Sequence, residues 1–460
     1  ADVYPLAPLQ EGIFFHHLMD DDTDVYALPY VLHLDTRDRL DAFLAALRHL
    51  VARNDIYRTS VVWDGLREPV QVVWRHADLP VEEATLDPAA DPVEALLAAA
   101  GTRIDLGAAP LMRAHVAAAP DGGWLLLLRI HHLVQDHTTF DVVLDELRAV
   151  LTGRAEELPP PLPYREFVAR ARLGVSDEEH ERYFADLLGD VTETTAPYGL
   201  TDTHHDGTTA VQVQLTADRA LTARVRDLAR AYAVSPATIL HLAWARLLGT
   251  LAGRDDVVFG TILFGRMNAG AGADRAPGLF INTLPVRVRL ARHGVADALT
   301  ALRDQLADLL VHEHAPLALA QRASGVPAAA PLFTSLFNYR HNLPTDGHPG
   351  AGLDGVTAVL HRDNTNYPMV VSVDDDGTDF ALVVEAVAPA DPTRVGSLLL
   401  TCLDSLTAAL EQAPQTPLGA VEVLDAAELR QVVEEWNATE APVTDEPVPA
   451  AFARRVAADP

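Results

Sequence analysis

The chain has 460 residues, 49% of them hydrophobic, and a formal net charge of −30. A single core stops growing near ~250–300 residues, so two or more packed lobes are expected, and the negative charge argues against a nucleic-acid partner, whose phosphates require clustered basic side chains. All 35 Lys/Arg positions are arginine, which excludes a P-loop, a pyridoxal Schiff base and a lysine nucleophile.

One cysteine, Cys402, in the apolar run SLLLTCLDSL, rules out an intramolecular disulfide framework and fits a reducing compartment. With no signal peptide ahead of Ala1, a cytoplasmic location is expected. The chain carries no GxSxG elbow, HExxH, CxxC pair or strand-following GxGxxG, so hydrolase, zincin and Rossmann readings lose their signatures. Residues 237–251 (ATILHLAWARLLGTL) fall short of the ~20 residues a bilayer needs and carry His241 and Arg246; they read as a core helix, with no membrane contact expected.

In chain order, residues 9–19 (LQEGIFFHHLM), behind Pro5 and Pro8, read as an amphipathic opening helix, and residues 25–35 (VYALPYVLHLD) alternate like a strand. Helical spacing returns over 38–53. TSVVWDG and EPVQVVW read as two strands about a turn at Gly65, followed by a helix near 93–100 and the strand WLLLLRI at 124–130. Residues 138–151 place Phe140, Val143, Leu144, Leu147 and Leu151 on one helical face. The proline run in ELPPPLPYREF (157–167) is too constrained for a helix and reads as the start of a passage between lobes. Residues 190–209 read as a solvated loop, with His204 and His205 facing water. From Ala210 the alternation restarts: a strand (AVQVQL), two helices, a strand (VVFGTILFG), a glycine-rich loop at 268–278 and the strand LFINTLPVRV. A further helix and strand set ends near Gln412, and the Pro/Ala/acid-rich stretch 436–460 reads as a linker.

The stretch RIHHLVQDH (129–137) packs three histidines and an aspartate into the turn between the 124–130 strand and the next helix. Side chains alternate along a strand, so His131 and His132 cannot face one site while the strand persists; one serves chemistry and one structure. Asp136, at the helix start, can accept backbone N–H bonds or a partner arginine, and structure is its larger expected role. A helix N-terminus disfavours charging a nearby imidazole and keeps its lone pair available to take a proton from an amine or alcohol. Zinc needs three or four converging ligands, alternation divides the histidine pair, and His312 and His314 in HEHAP are the only tempting extras, so no metal is expected.

RIHHLVQDH resembles the H-H-x-x-x-D-G motif of nonribosomal peptide synthetase condensation domains, relatives of chloramphenicol acetyltransferase. That motif alone is moderately specific. It is joined, in the family's order, by VYPLAPLQEGIFFHHL (3–18), RNDIYRTSV (53–61), RDDVVFGTILFGR (254–266), GLFINTLPVR (278–287) and PLFTSLFNYRHN (331–342), each similar to a family motif. WNATEAP resembles the junction into an adenylation domain, so the resemblance runs from residue 3 to about 440.

The resemblance implies an α/β (α+β) chain folded as a V-shaped pseudodimer of two chloramphenicol acetyltransferase-like subdomains, with lobes at 1–175 and 176–430 and a linker at 431–460 toward an adenylation domain. It implies a tunnel in which an acceptor's α-amine attacks a donor's thioester carbonyl. Both substrates arrive as phosphopantetheine thioesters on upstream donor and downstream acceptor carrier proteins, with no cofactor or metal bound directly. By position His132 is the catalytic histidine, while His131, Asp136, Arg58 and Arg266 are structural residues of the site, Arg58 or Arg266 pairing with Asp136. The family's glycine after the aspartate is His137 here, a tunnel-lining candidate, and the 268–278 loop falls where the family's second lobe crosses the tunnel floor. The alternatives are a non-catalytic docking or recruiting module of the same fold and an epimerization domain, whose second acid motif is not found. PLAPLQEG resembles the subtype that takes a D-configured donor, and the implied setting is secondary metabolism, such as antibiotic or siderophore synthesis.

Overall fold

The computed structural model describes all residues except 1, 20–23, 204–208, 267–269, 271, 292, 342–352, 362–364, 441–444 and 460. The first third of the chain forms β1 (Asp2–Pro5), α1 (Pro8–Met19), β2 (Ala27–Leu34), α2 (Arg37–Arg53), β3 (Thr59–Val62), β4 (Val70–Val73), β5 (Val81–Glu83), α3 (Pro92–Ala99), β6 (Met112–Ala118), β7 (Trp124–His131) and α4 (His137–Leu151). Then come α5 (Tyr164–Leu173), α6 (Asp177–Leu188), β8 (Val211–Thr216), α7 (Arg219–Ala231), α8 (Pro236–Ala252), β9 (Asp256–Leu263), β10 (Asn282–Arg289), α9 (Val295–Val311) and α10 (Leu317–Ala323). The chain closes with β11 (Ser335–His341), β12 (Val356–His361), β13 (Met369–Asp375), β14 (Phe380–Ala386), α11 (Pro392–Gln412), α12 (Ala426–Arg430) and α13 (Val448–Ala458).

β7 sits inside a five-stranded sheet of order β12-β2-β7-β6-β5, antiparallel to β2 and β6. Its run WLLLL is apolar throughout because both faces are covered. Leu126, Leu128 and Ile130 enter one core with α2 and α4, while Leu125 and Leu127 join Val31 and Leu96 of α3 on the other face. For the same reason β2 is buried along nearly its whole length instead of alternating.

A six-stranded sheet of order β10-β9-β11-β13-β14-β8 organises the later part of the chain. It packs with α8, which is buried all round, as the sequence suggests: Trp244, Leu240, Leu247 and Leu248 are fully enclosed between β9 and α11. No helix among the described residues is long and apolar enough to cross a membrane.

Two segments cross between the halves. β12, from the later half, pairs antiparallel with β2 of the early sheet. Between β9 and β10 the chain carries Ala273, Ala276, Leu279 and Phe280 into the early core, where Phe280 packs against Tyr164 and Phe167.

Some elements differ from the sequence expectations. β1 was unforeseen; four residues are too short to show a period, and pairing with β4 defines the strand. Residues 190–203 are not a plain solvated loop, since Val191, Thr195 and Pro197 are buried and Thr195 accepts the Val258 N–H; His204 and His205 lie outside the described residues. The 436–460 stretch contains α13, an Ala-rich helix opened by Pro447 and Pro449, with none of its side chains buried.

Candidate active site

The turn after β7 is built so that its two histidines separate. β7 ends at His131, which caps a single 3-10 turn, His132–Val134, its Nδ1 accepting the Leu133 N–H at 3.1 Å. His131 is fully buried, whereas His132 keeps part of its surface. The His132 N–H donates to the Tyr26 carbonyl at 2.8 Å, fixing the backbone that carries the ring. The ring is fixed too: Nδ1 lies 2.6 Å from the Gln135 carbonyl, which can only accept, so the proton is on Nδ1 and the lone pair is on Nε2.

Side chains from distant elements brace this turn. Gln10 of α1 donates to the Leu133 carbonyl at 2.7 Å and is itself paired with Gln71. The buried Gln135 side chain donates to the Tyr30 hydroxyl and accepts from that of Tyr57. Tyr26, whose ring is 6.3 Å from that of His132, donates through its hydroxyl to Asn366 from the later half. Burial, with Tyr367 and Asp24 nearby, pushes the Tyr26 phenol well above its ordinary range, so it stays a neutral donor.

Asp136 caps α4 from a fully buried position. Its Oδ1 accepts the Thr139 N–H at 2.7 Å and Arg266 Nη2 at 2.8 Å, and its Oδ2 accepts the Phe280 N–H at 3.0 Å. Burial favours the neutral acid, yet the Arg266 charge and these hydrogen bonds outweigh it and hold the carboxyl below its ordinary range. Arg266 also donates to the carbonyls of Ala273 and Ala276, and its guanidinium lies 4.0 Å from the Phe280 ring centre. Thr139 joins the same knot, its hydroxyl 2.6 Å from the Gly278 carbonyl. The described end of the glycine-rich loop is therefore clamped onto the start of α4.

Of the two arginines considered for Asp136, the fold brings Arg266 to it and takes Arg58 elsewhere. Arg58, partly exposed, donates to the carbonyls of Trp74 and Arg75, because β3 and β4 carry it away from the head of α4. His137, the first residue of α4, has an exposed side chain. His312 and His314 do not converge on the HH pair: His312 stacks on Tyr183 and lies 2.8 Å from His180, while His314 packs on Phe167.

The fold does assemble one group of ligand-type atoms that the sequence did not suggest. His17, Asp24 and His131 bring theirs within 4.8 Å of one another. The donor set suits protons better than a metal. Arg103 Nη2 is 3.1 Å from His17 Nε2, and a guanidinium only donates, so the His17 proton is on Nδ1, facing Asp24 at 2.8 Å. His131 Nδ1 is occupied by the Leu133 N–H, so its proton is on Nε2, facing the same Asp24 oxygen at 3.1 Å. Both nitrogens that would ligate a cation carry protons. Burial opposes the Asp24 charge, but the bonds from His131 and His17 hold the carboxyl far below its usual range, and burial lowers His131 despite its Asp24 partner.

Residues 1–427 match the family described as Condensation domain. The chain belongs to that family. Domains of this family are found in nonribosomal peptide synthetases. This condensation domain is 42% identical to malpibaldin synthetase of Mortierella alpina over 446 residues, covering 96% of this chain and 8% of that one. It is 31% identical to a linear gramicidin synthase of Brevibacillus parabrevis, covering 96% and 9%. The chain thus spans less than a tenth of these curated relatives. Its fold is similar to the condensation domain of the monacolin K polyketide synthase MokA, at 19% identity with a TM-score of 0.70 over 91% of this chain and 99% of that one. The first condensation domain of the CDA synthetase is also 19% identical, with a TM-score of 0.69 over 92% and 100%.

Sequence reading of this condensation domain missed Gln10, Asp24, Gln135 and Thr139. Gln10 and Gln135 lie inside motifs already quoted, but nothing in a motif says which side chain turns inward. Asp24 carries no signal beyond being a carboxylate just ahead of a buried strand.

Proposed function

We propose that His132 Nε2 takes the proton from the α-amine of an acceptor aminoacyl thioester as that amine attacks a donor thioester carbonyl. The C–N bond forms and the C–S bond breaks. The amine proton passes through His132 to the departing thiolate, which leaves as the thiol of the donor carrier's phosphopantetheine. What supports this reading is the tautomer: the Gln135 carbonyl holds the His132 proton on Nδ1 and leaves Nε2 as a lone pair on a part-exposed ring. An α-amine of pKa ~7.7–8.0 is substantially neutral near pH 7–8, and the thioester is already activated, so the remaining demand is alignment, worth ~7–11 kcal/mol when the geometry is good.

In this reading His131 and the Asp136–Arg266 pair are structural, Arg58 lies outside the site's inner network, and His137 lines the donor channel. The lobes are 1–175 and 176–430, the second contributing the segment around Phe280 and β12 to the first, and 431–460 leads toward an adenylation domain. The partners are an upstream donor and a downstream acceptor carrier protein in the cytoplasm, and PLAPLQEG supports a D-configured donor terminus. The test is to mix the protein with loaded donor and acceptor carriers and follow the dipeptidyl thioester by intact-protein mass spectrometry, with D- and L-donors in parallel. Carrier binding without product from either donor overturns the reading in favour of a docking module.

A further inference from the structure

A buried network behind His132 is not used by the chemistry above. Asp24 lies just ahead of β2, its side chain fully enclosed, and both of its carboxylate oxygens are engaged. Oδ2 accepts the protons of His17 Nδ1 at 2.8 Å and His131 Nε2 at 3.1 Å. Oδ1 accepts the Tyr26 N–H at 3.1 Å.

These two oxygens reach the backbone of the catalytic turn by separate routes. Through Oδ2, Asp24 keeps the His131 proton on Nε2, which leaves His131 Nδ1 free to accept the Leu133 N–H. Through Oδ1, it closes the bend at Tyr26, whose carbonyl accepts the His132 N–H. The amides of residues 132 and 133 are therefore both fixed by groups that Asp24 holds. The network also has a defined sense, because Arg103 donates to His17 Nε2 and so keeps the His17 proton directed at Asp24. Were His131 to take the other tautomer, its Nδ1 proton would confront the Leu133 N–H and its bare Nε2 would face a carboxylate. Both contacts are repulsive, so the charge of Asp24 and the turn at 132–134 are coupled.

We propose that Asp24 is a positioning residue for the condensation reaction, acting through the His131 tautomer and the Tyr26 bend to set the place of the His132 ring. Asp24 touches neither substrate nor the reacting atoms in this assignment. A displacement of about 1 Å at a reacting group can lower a rate by ~10²-fold, so the consequence belongs in turnover and not in substrate binding.

The proposal rests on the reading of His132 as the base, and its test separates the two. Nitrogen-15 spectra of the histidine-labelled wild-type protein, without substrates, are expected to show the His131 proton on Nε2; a proton on Nδ1 overturns the proposal whatever the variants do. Asp24→Ala is expected to lower kcat by roughly 10- to 100-fold with KM for the acceptor thioester within about twofold, and to disturb the His131 pattern. Asp24→Asn, of the same shape, retains one oxygen and should recover part of the loss, and it decides the matter if the alanine variant does not fold. Wild-type kcat in Asp24→Asn with an unchanged histidine pattern overturns the proposal, as does lost turnover with the wild-type pattern retained. A wild-type protein that makes no dipeptidyl thioester defeats the reading of His132, while the spectra still judge Asp24.

Discussion

Replacing Asp136 with alanine is expected to destabilise the protein by about 3–5 kcal/mol, the cost of leaving one member of a buried ion pair without its partner. Asp136 and Arg266 have side chains 0% and 1% exposed, so water cannot take over for either. The carboxylate caps α4 through the Thr139 N–H, and losing such a cap costs ~1 kcal/mol by itself. The Phe280 N–H would lose its acceptor inside the core, adding ~1–3 kcal/mol, and the Arg266 charge would remain. These contributions overlap, so the range for a broken pair describes them together. Asp136→Asn keeps an oxygen for the cap but not the charge, and should fall between alanine and wild type. Because the folded-state carboxyl titrates below the unfolded value of ~3.9, its contribution is complete above that pH and is lost as pH falls through the folded value; the variant's stability should vary less with pH in that acid range. Equilibrium urea unfolding with tryptophan fluorescence measures all of this. If Asp136→Ala unfolds at the wild-type urea concentration while turnover alone disappears, Asp136 belongs to the chemistry and the structural assignment is wrong.

His132→Ala should lower dipeptide formation by roughly 10²–10⁴-fold with an unchanged melting curve, and wild-type turnover in the folded variant would remove His132 from its role. Arg58→Ala, by contrast, should unfold within about 1 kcal/mol of wild type, because Arg58 gives up two carbonyl contacts and a charge interaction with Asp55 at a partly exposed site; a loss matching Asp136→Ala would show the wrong arginine has been paired. Gly265→Ala should be poorly stable, since Gly265 has φ +67° and a Cβ there would lie 1.8 Å from the Phe280 carbonyl oxygen, driving Arg266 away from Asp136; calorimetry showing wild-type melting would contradict this. His137→Gly should retain condensation and widen the range of donors accepted in a competition assay, and silence as complete as that of His132→Ala would place His137 in the catalytic machinery. His241, enclosed in α8 and pushed down to about 4 by burial, stays neutral in the fold while the unfolded chain protonates near ~6.5; stability should therefore fall as pH drops from ~6.5 toward 4, and less steeply in His241→Gln, as urea titrations at several pH values would reveal.

The general alternation of strands and helices, the core helix 237–251, the turn that holds RIHHLVQDH and the family were legible in the sequence, because each rests on local pattern: apolar period, proline and glycine punctuation, and motifs in a fixed order; β1, β5, β6, α5 and α6 were not. Strand alternation gave the separation of His131 from His132 only while the strand persists; β7 ends at His131, and it is the 3-10 turn at His132–Val134 that parts them. The partner of Asp136 was not legible. Arg58 and Arg266 are equally plausible by motif, and only the path of the 273–280 segment across to the early core selects Arg266. Gln10 and Asp24 lie over a hundred residues from His131 and reach its turn because α1 and the approach to β2 pack beside the end of β7. A strand such as β12 finds its sheet among residues more than three hundred positions earlier. Sequence pattern records what each segment does to water; which buried donors and acceptors then meet depends on closing long loops around a shared core, and that information is carried by the tertiary structure alone.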